Sequence, residues 1–287
     1  MPAPSIVVVG SVNMDLVTAV ERLPKPGETT LGSSFGTIPG GKGANQAIAA
    51  SRAGGNVTFV GAVGSDTFAL ELRQTLVEAD VDTAHLREVE GPSGIASITV
   101  DAAGENSIVV VPGANSAVTE LQPVELDAIA AADVLLCQLE IPLGTVVAAA
   151  RHAAANGTLV MLNPSPPQTL PEDLLALVDV LLVNEHESAH FGAEATADVA
   201  HVVTTLGAAG AVCRHGGAVL RAEPPRVAVV DTTGAGDAFA GALAVAWAEG
   251  PETALPFACV AGALAATRRG ASASAPTRTE IESVLSR

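Results

Sequence analysis

Asp231-Thr-Thr-Gly-Ala-Gly-Asp237, followed at once by Ala238-Phe-Ala-Gly-Ala-Leu-Ala-Val245, is the stretch on which the reading of the fold turns. The apolar run 227–230 predicts a strand ending at Asp231, and the small apolar residues after Asp237 predict a helix over 238–248. Between them, Gly234, Ala235 and Gly236 make a turn that leaves backbone N–H groups unpaired at a helix N-terminus. Those amides and the helix dipole together favour an anion. Asp237 then stands beside that anion. A carboxylate there suits a base that takes a proton from a hydroxyl about to attack a phosphoryl group. The competing reading is an ordinary Gly-x-Gly turn with an Asp that caps the helix.

Outward from this stretch, the chain alternates short β-branched runs with longer Ala/Leu-rich ones. Strands are predicted at 6–9, 57–63, 134–137, 158–162, 180–183, 201–205 and 227–230. Helices are predicted at 44–53, 69–79, 143–155, 238–248 and 255–267, with a short terminal one at 279–287. Such alternation implies an α/β fold: a central, mostly parallel sheet flanked by helices on both faces, in three layers. Ligands of these sheets bind at the carboxyl ends of the strands. Two segments break the rhythm. Residues 18–38 are rich in Pro, Gly and Thr, and 95–100 and 107–111 are joined by a Gly-containing turn, a hairpin signal. Together they predict a small β-sheet lid built from about 11–39 and 93–112 on a single domain spanning 1–287. An edge extension of the main sheet is the alternative.

With 48% hydrophobic residues in 287, the chain has ample material for one large core. The net charge of −17 argues against a nucleic-acid partner, which needs a basic face. The run 238–248 is too short to span a bilayer, and no leader pattern opens the chain, so no membrane contact and a cytoplasmic location are expected. Cys137, Cys213 and Cys259 are odd in number and widely spaced, which predicts buried, inert thiols rather than disulfides or a zinc site.

Further polar segments follow the predicted strands. In Gly10-Ser-Val-Asn-Met-Asp15, Asn13 and Asp15 share a face of an extended chain, as a pair that holds vicinal hydroxyls would; turn chemistry is the alternative. Pro39-Gly-Gly-Lys-Gly-Ala-Asn-Gln46 opens the first long helix. Its Gly-to-Lys spacing is wrong for a Walker A loop, but Gly41 and its neighbours let a ligand approach the backbone, and Lys42 and Asn45 can reach hydroxyls or phosphate oxygens. Glu140, in Gln138-Leu-Glu-Ile-Pro142, stands at the carboxyl end of a strand, or opens a helix. Asn184-Glu-His-Glu187 can orient a hydrated Mg2+, or form a capping box, or both. Thr205 and Gly207 are placed to sit beside a nucleotide, or form an ordinary turn.

Five of these motifs, in this order across nearly the whole chain, resemble those of the ribokinase/PfkB family of sugar kinases. They are Gly10-Ser-Val-Asn-Met-Asp-Leu16, Gly40-Gly-Lys-Gly-Ala-Asn-Gln-Ala47, Gln138-Leu-Glu-Ile-Pro142, Asn184-Glu-His-Glu187 and Asp231-Thr-Thr-Gly-Ala-Gly-Asp-Ala-Phe239. The resemblance implies that Asp237 is the catalytic base, with Gly234, Ala235 and Gly236 as the anion hole. It implies a sugar site of Asn13, Asp15, Gly41, Lys42, Asn45 and Glu140, and a nucleotide side of Asn184, Glu187, Thr205, Gly207, Gly210, Gly236 and Cys259. It implies ATP and ribose as substrates, Mg2+ as cofactor, and an activating potassium ion held by Asp231, Thr233, Ala265, Arg268, Gly270 and Ser274. A homodimer through the lid is implied as well. Cys259 stands where relatives often carry a polar residue, and 191–202 is shorter than in many of them. The rival expectations are a kinase for another pentose or a nucleoside on this fold, and a non-catalytic sugar-binding protein. A dinucleotide-dependent oxidoreductase is disfavoured, because no GxGxxG follows the first strand.

Overall fold

The computed structural model describes residues 2–286. The order of elements begins β1 (Ser5–Val9), β2 (Asn13–Val20), β3 (Gly32–Gly40), α1 (Lys42–Arg52), β4 (Asn56–Val63), α2 (Ala69–Glu78), β5 (Leu86–Glu88), β6 (Gly94–Val100) and β7 (Asn106–Val111). It continues with α3 (Pro123–Ala131), β8 (Val134–Cys137), α4 (Leu143–Asn156), β9 (Leu159–Leu162), α5 (Glu172–Leu175), β10 (Val180–Asn184), α6 (Glu185–Ala195) and β11 (His201–Thr205). The last are β12 (Ala211–His215), β13 (Ala218–Ala222), α7 (Ala235–Ala246), α8 (Pro251–Ala265) and α9 (Arg278–Leu285).

Nine strands form the main sheet in the order β13-β12-β11-β10-β9-β8-β1-β4-β5. It is parallel from β11 to β5, and β12 and β13 add an antiparallel edge. Successive strand residues point to opposite faces. Ile6 and Val8 of β1 therefore enter one core with α1, α2, α7, α8 and α9, and Val7 and Val9 enter the other with α3, α4 and α5. Both faces are covered, as the near-continuous apolar strands require.

The remaining four strands form a separate sheet in the order β3-β2-β6-β7, so the broken segments do not extend the main sheet. β2 lies antiparallel to β3 and parallel to β6. The outer strand β7 is exposed along its whole length, including Ile108, Val109, Val110 and Val111.

One predicted strand is absent. Residues 227–230 run as irregular chain, with Val229 and Val230 more than half exposed. An apolar run needs a ladder partner to become a strand, and the Val230 N–H turns instead to the Ala266 carbonyl (2.8 Å). The stretch follows Pro224-Pro225, and proline cannot donate to a ladder. Asp231 is instead held by its own amide, which donates to the Ala266 carbonyl after α8. The segment 191–202 retains most of a helix: α6 runs to Ala195 with a break at Gly192 (φ 75°).

Candidate active site

The polar motifs gather at the carboxyl ends of the central strands because three close backbone approaches bring them there. α1 starts against the β1–β2 connection. A Cβ on Gly41 (φ +91°) would lie 2.7 Å from the Asn13 amide nitrogen, and one on Gly43 would lie 2.5 Å from that of Ser11. Glycine at both positions seats Lys42 and Asn45 beside Asn13 and Asp15. α7 starts against the 270–271 turn, where a Cβ on Gly234 (φ +74°) would lie 2.6 Å from the Ala271 Cα. α1 and α7 then cross at Gly241, which sets Asn45 and Gln46 against Asp237.

At that crossing Asn45 Nδ2 donates to Asp237 Oδ2 (3.1 Å), and Gln46 Nε2 donates to Asp237 Oδ1 (3.0 Å). Gln46 Nε2 also donates to Asn163 Oδ1 (3.0 Å), while Gln46 Oε1 accepts from Gln138 Nε2 (2.7 Å). Asn163 Nδ2 in turn donates to the Leu182 carbonyl (2.9 Å). Gln46 and Gln138 are completely buried. Asn45 Oδ1 is buried without a partner, an acceptor left over for a ligand's hydroxyl.

The N-terminus of α7 has no side-chain cap. The Ala235 N–H turns back to the Thr232 carbonyl (3.2 Å), whereas those of Gly236 and Asp237 have no acceptor among the described residues. The N–H groups this turn leaves free for a ligand are thus those of Gly236 and Asp237, with Gly234 and Ala235 shaping it.

On the side of β2, Glu140 accepts from the Lys42 amide (3.1 Å) and the Ser11 hydroxyl (2.5 Å). Asp15 lies in the same cluster, pressed against Gly40, where a Cβ would lie 2.6 Å from its carboxylate. Burial first, then the charges of Glu140 and Asp237, push the Asp15 carboxyl up to about 7. Asn13 is fixed by a residue the sequence did not suggest. Asn115, just after β7, takes the Val12 N–H on its oxygen (3.0 Å) and donates to the Val12 carbonyl (3.1 Å) and to Asn13 Oδ1 (2.7 Å). With its oxygen already accepting from Asn115, Asn13 keeps both N–H donors free for a ligand.

A cleft with about 540 Å³ of empty space opens in front of Asp237 and Lys42. Its lining includes Lys42, Asn163, Asn184, Glu187, Thr205, Gly236 and Asp237. Asn184 and Glu187 cap α6 reciprocally: Glu187 Oε2 accepts from the Asn184 N–H (2.9 Å), and Asn184 Oδ1 from that of Glu187 (2.8 Å). The capping box and the cleft wall are the same residues. No group of three or more His, Cys, Asp or Glu side chains that could hold a metal occurs among the described residues. The hard oxygens of Asn184 and Glu187 fit a Mg2+ that keeps most of its shell from water and phosphate.

Gly207, Gly210 and Cys259 do not line this cleft. Gly207 and Gly210 (φ +55° and +89°) shape the turn after Thr205. The Cys259 thiol is buried in α8, donates to the Ala222 carbonyl (3.6 Å), and is pushed up to about 11 by burial.

The residues expected around a potassium ion do converge on one loop pair. Asp231 accepts from the Thr233 N–H (2.9 Å) and the Gly270 N–H (3.1 Å). Burial opposes its ionisation, but these hydrogen bonds outweigh that and hold its carboxyl below the usual range. Ser274 is buried with its hydroxyl on the Ala271 carbonyl, and the Ala265 carbonyl accepts from the Arg268 N–H (3.0 Å). The Arg268 guanidinium pairs with Glu280, so only its backbone is available to a cation.

All three cysteines are buried and unpaired. No helix among the described residues is long and apolar enough to cross a membrane.

Comparison with known proteins gives consistent results. The family model described as pfkB family carbohydrate kinase matches residues 3–278. The chain is 40% identical to the ribokinase of Bacillus subtilis, covering 98% of this chain and 99% of that one. It is 38% identical to the ribokinase of Haemophilus influenzae, covering 96% of each. Among solved structures, Arabidopsis thaliana ribokinase complexed with ribose and ATP superposes with a TM-score of 0.92 at 32% identity, covering 100% of both chains.

Proposed function

The chain belongs to the pfkB family of carbohydrate kinases, and from that premise we propose that it transfers the γ-phosphoryl group of ATP to the 5-hydroxyl of D-ribose. The products are ribose 5-phosphate and ADP. One observation carries the assignment of roles. Asp237 stands at an uncapped helix N-terminus, with the Asp15/Glu140 cluster on one side and the Asn184/Glu187 cleft on the other.

Ribose sits among Asn13, Asp15, Gly41, Lys42, Asn45 and Glu140. Asn13 donates to a ring oxygen or hydroxyl, Asp15 and Glu140 accept from hydroxyls, and the unpartnered Asn45 Oδ1 accepts one more. Asp237 takes the proton of the 5-hydroxyl as its oxygen bonds to the γ-phosphorus and the bond to the ADP oxygen breaks. The Gly236 and Asp237 N–H groups, with Lys42, stabilise charge on the transferring oxygens. Asn184 and Glu187 would hold Mg2+ through its water shell, and this ion supplies charge neutralisation on the phosphates. Asp231, Thr233, Ala265, Arg268, Gly270 and Ser274 would hold K+, whose role is to fix the turn leading to Asp237. Thr205, Gly207 and Gly210 border the nucleotide.

The small sheet acts as a lid over the sugar, and its exposed apolar strand pairs two chains into a homodimer. The cytoplasm is the compartment that three unpaired thiols suit.

The test is a coupled ADP-release assay with Mg-ATP and K+, run across ribose, 2-deoxyribose, fructose, fructose 6-phosphate, adenosine and cytidine. Turnover with ribose well above the rest supports the proposal. Preference for a nucleoside or a sugar phosphate would overturn the sugar-site assignment, and no turnover with any would overturn the substrate.

A further inference from the structure

Gln46 is completely buried and lies away from solvent, between α1, α7 and the ends of the central strands. Both of its N–H groups and its oxygen are engaged within the protein. Its oxygen accepts from Gln138 Nε2 (2.7 Å), and the acceptor that Asn163 turns towards it fixes the opposite end of the amide as nitrogen. Its two N–H groups are divided between Asn163 Oδ1 and Asp237 Oδ1, each at 3.0 Å. Asn163 is itself oriented by its bond to the Leu182 carbonyl (2.9 Å), so its oxygen faces Gln46. The amide plane is pinned at two points before it meets Asp237.

We propose that Gln46 is a positioning residue that fixes the Asp237 carboxylate through Oδ1 and leaves Oδ2 as the oxygen that takes the substrate's proton. This inference rests on the reading of Asp237 as the base. The two amides that touch Asp237 are not equivalent. Asn45 holds Oδ2, has an oxygen with no protein partner, and belongs to the sugar site, so a substrate hydroxyl can displace it. Gln46 has no free group to offer a ligand, and its bond to Oδ1 persists whichever protonation state Oδ2 adopts. Holding a base in a reactive orientation raises the rate without adding substrate affinity. A residue that acts in this way lowers kcat when removed and leaves KM unchanged.

The experiment compares Gln46→Met, which keeps the volume but removes both N–H groups, with Gln46→Glu, which keeps the acceptor for Gln138 but places an acceptor against Asp237. Steady-state kinetics with ribose and ATP, ribose binding by calorimetry and thermal melting are measured for each, with Asp237→Asn alongside. The expected result is a fall in kcat of about 10- to 100-fold, with the KM and Kd for ribose within threefold of the parent. The ratio of Gln46→Glu to parent kcat should rise as pH falls, because a protonated Glu regains one donor. A residue that only fills space would not produce that pH dependence. Unchanged kcat in both variants, or a loss confined to KM, overturns the proposal while leaving the base intact. Full turnover in Asp237→Asn overturns the base and the proposal together. If the Gln46 variants lose their melting transition, Asn163→Ala releases the same amide from the cleft side. A kcat-selective loss of at least threefold there supports the proposal, and none overturns it.

Discussion

Gly241 of α7 and Ala50 of α1 lie in direct backbone contact: a Cβ on Gly241 would sit 2.5 Å from the Ala50 nitrogen. The Gln46 carbonyl is almost as near, at 2.6 Å. Both atoms are helix backbone, so neither can swing aside. Gly241→Ala therefore has to push α7 off α1, the helix that brings Asn45 and Gln46 to Asp237. A loss of about 1–3 kcal/mol of stability is expected by denaturant titration. A fall in kcat of about 10-fold or more should accompany it, because the base moves relative to its substrate.

Asp237→Asn keeps the size and one hydrogen-bond acceptor but cannot take a proton at neutral pH. Turnover is expected to fall by about 10²-fold or more, while calorimetric ribose affinity stays within a few-fold. Near-normal turnover would remove Asp237 from the mechanism.

Asp15 makes stability depend on pH in a defined direction. Its carboxyl is raised in the folded protein, from 3.8 to about 7, so the folded state binds the proton more tightly than the unfolded chain. Its contribution is fully present below pH 3.8 and is lost as pH rises through 7. Asp15→Asn removes the ionisation. The melting temperature of the variant relative to the parent should climb between pH 5 and pH 8, and a flat difference would contradict this account.

Among the described residues, Asn115 is the only side chain bonding both Val12 and Asn13. Asn115→Ala leaves the buried Val12 N–H without an acceptor, a loss of about 1–3 kcal/mol in stability. It also frees Asn13 to turn its oxygen towards the sugar. The KM for ribose is expected to rise several-fold with the KM for ATP unchanged.

Val109→Lys places a charge on the exposed strand β7, where Ile108, Val110 and Val111 also face outward. If this strand joins two chains, light scattering should show the parent as a dimer and the variant as a monomer. A parent that is monomeric at all concentrations would refute the proposed assembly.

The main sheet was largely legible in the sequence, since β1, β4, β8, β9, β10 and β11 fall on short apolar runs between turn residues. Residues 227–230 carried the same signal and form no strand, because composition reports burial tendency and not whether a ladder partner exists. The antiparallel edge was overlooked although Gly216-Gly217, between β12 and β13, is a hairpin turn. α3, absent from the predicted helices, carries a start signal too: Pro123 in its first turn and Glu125, whose side chain accepts from the Gln122 N–H (2.8 Å). The motif residues of the site were visible because they cluster along the chain. Asn115 and Asn163 were not, since each is a lone amide whose partners lie 102–103 and 117 residues away. Gln46 and Gln138 stood inside the quoted motifs, but only the fold reveals that they contact each other.

β2 belongs to the small sheet, yet its first residues are Asn13 and Asp15, and β3 ends at Gly40, one residue before the turn into Lys42. In the proposed site, the sheet that would cover the sugar is thus continuous with the residues that would hold it. Anything that steadied the outer side of this sheet, whether a second chain or a substitution, would act on the strands that carry Asn13 and Asp15. Thermodynamic linkage then requires reciprocity: whatever factor the outer contact adds to sugar affinity, the sugar adds to that contact.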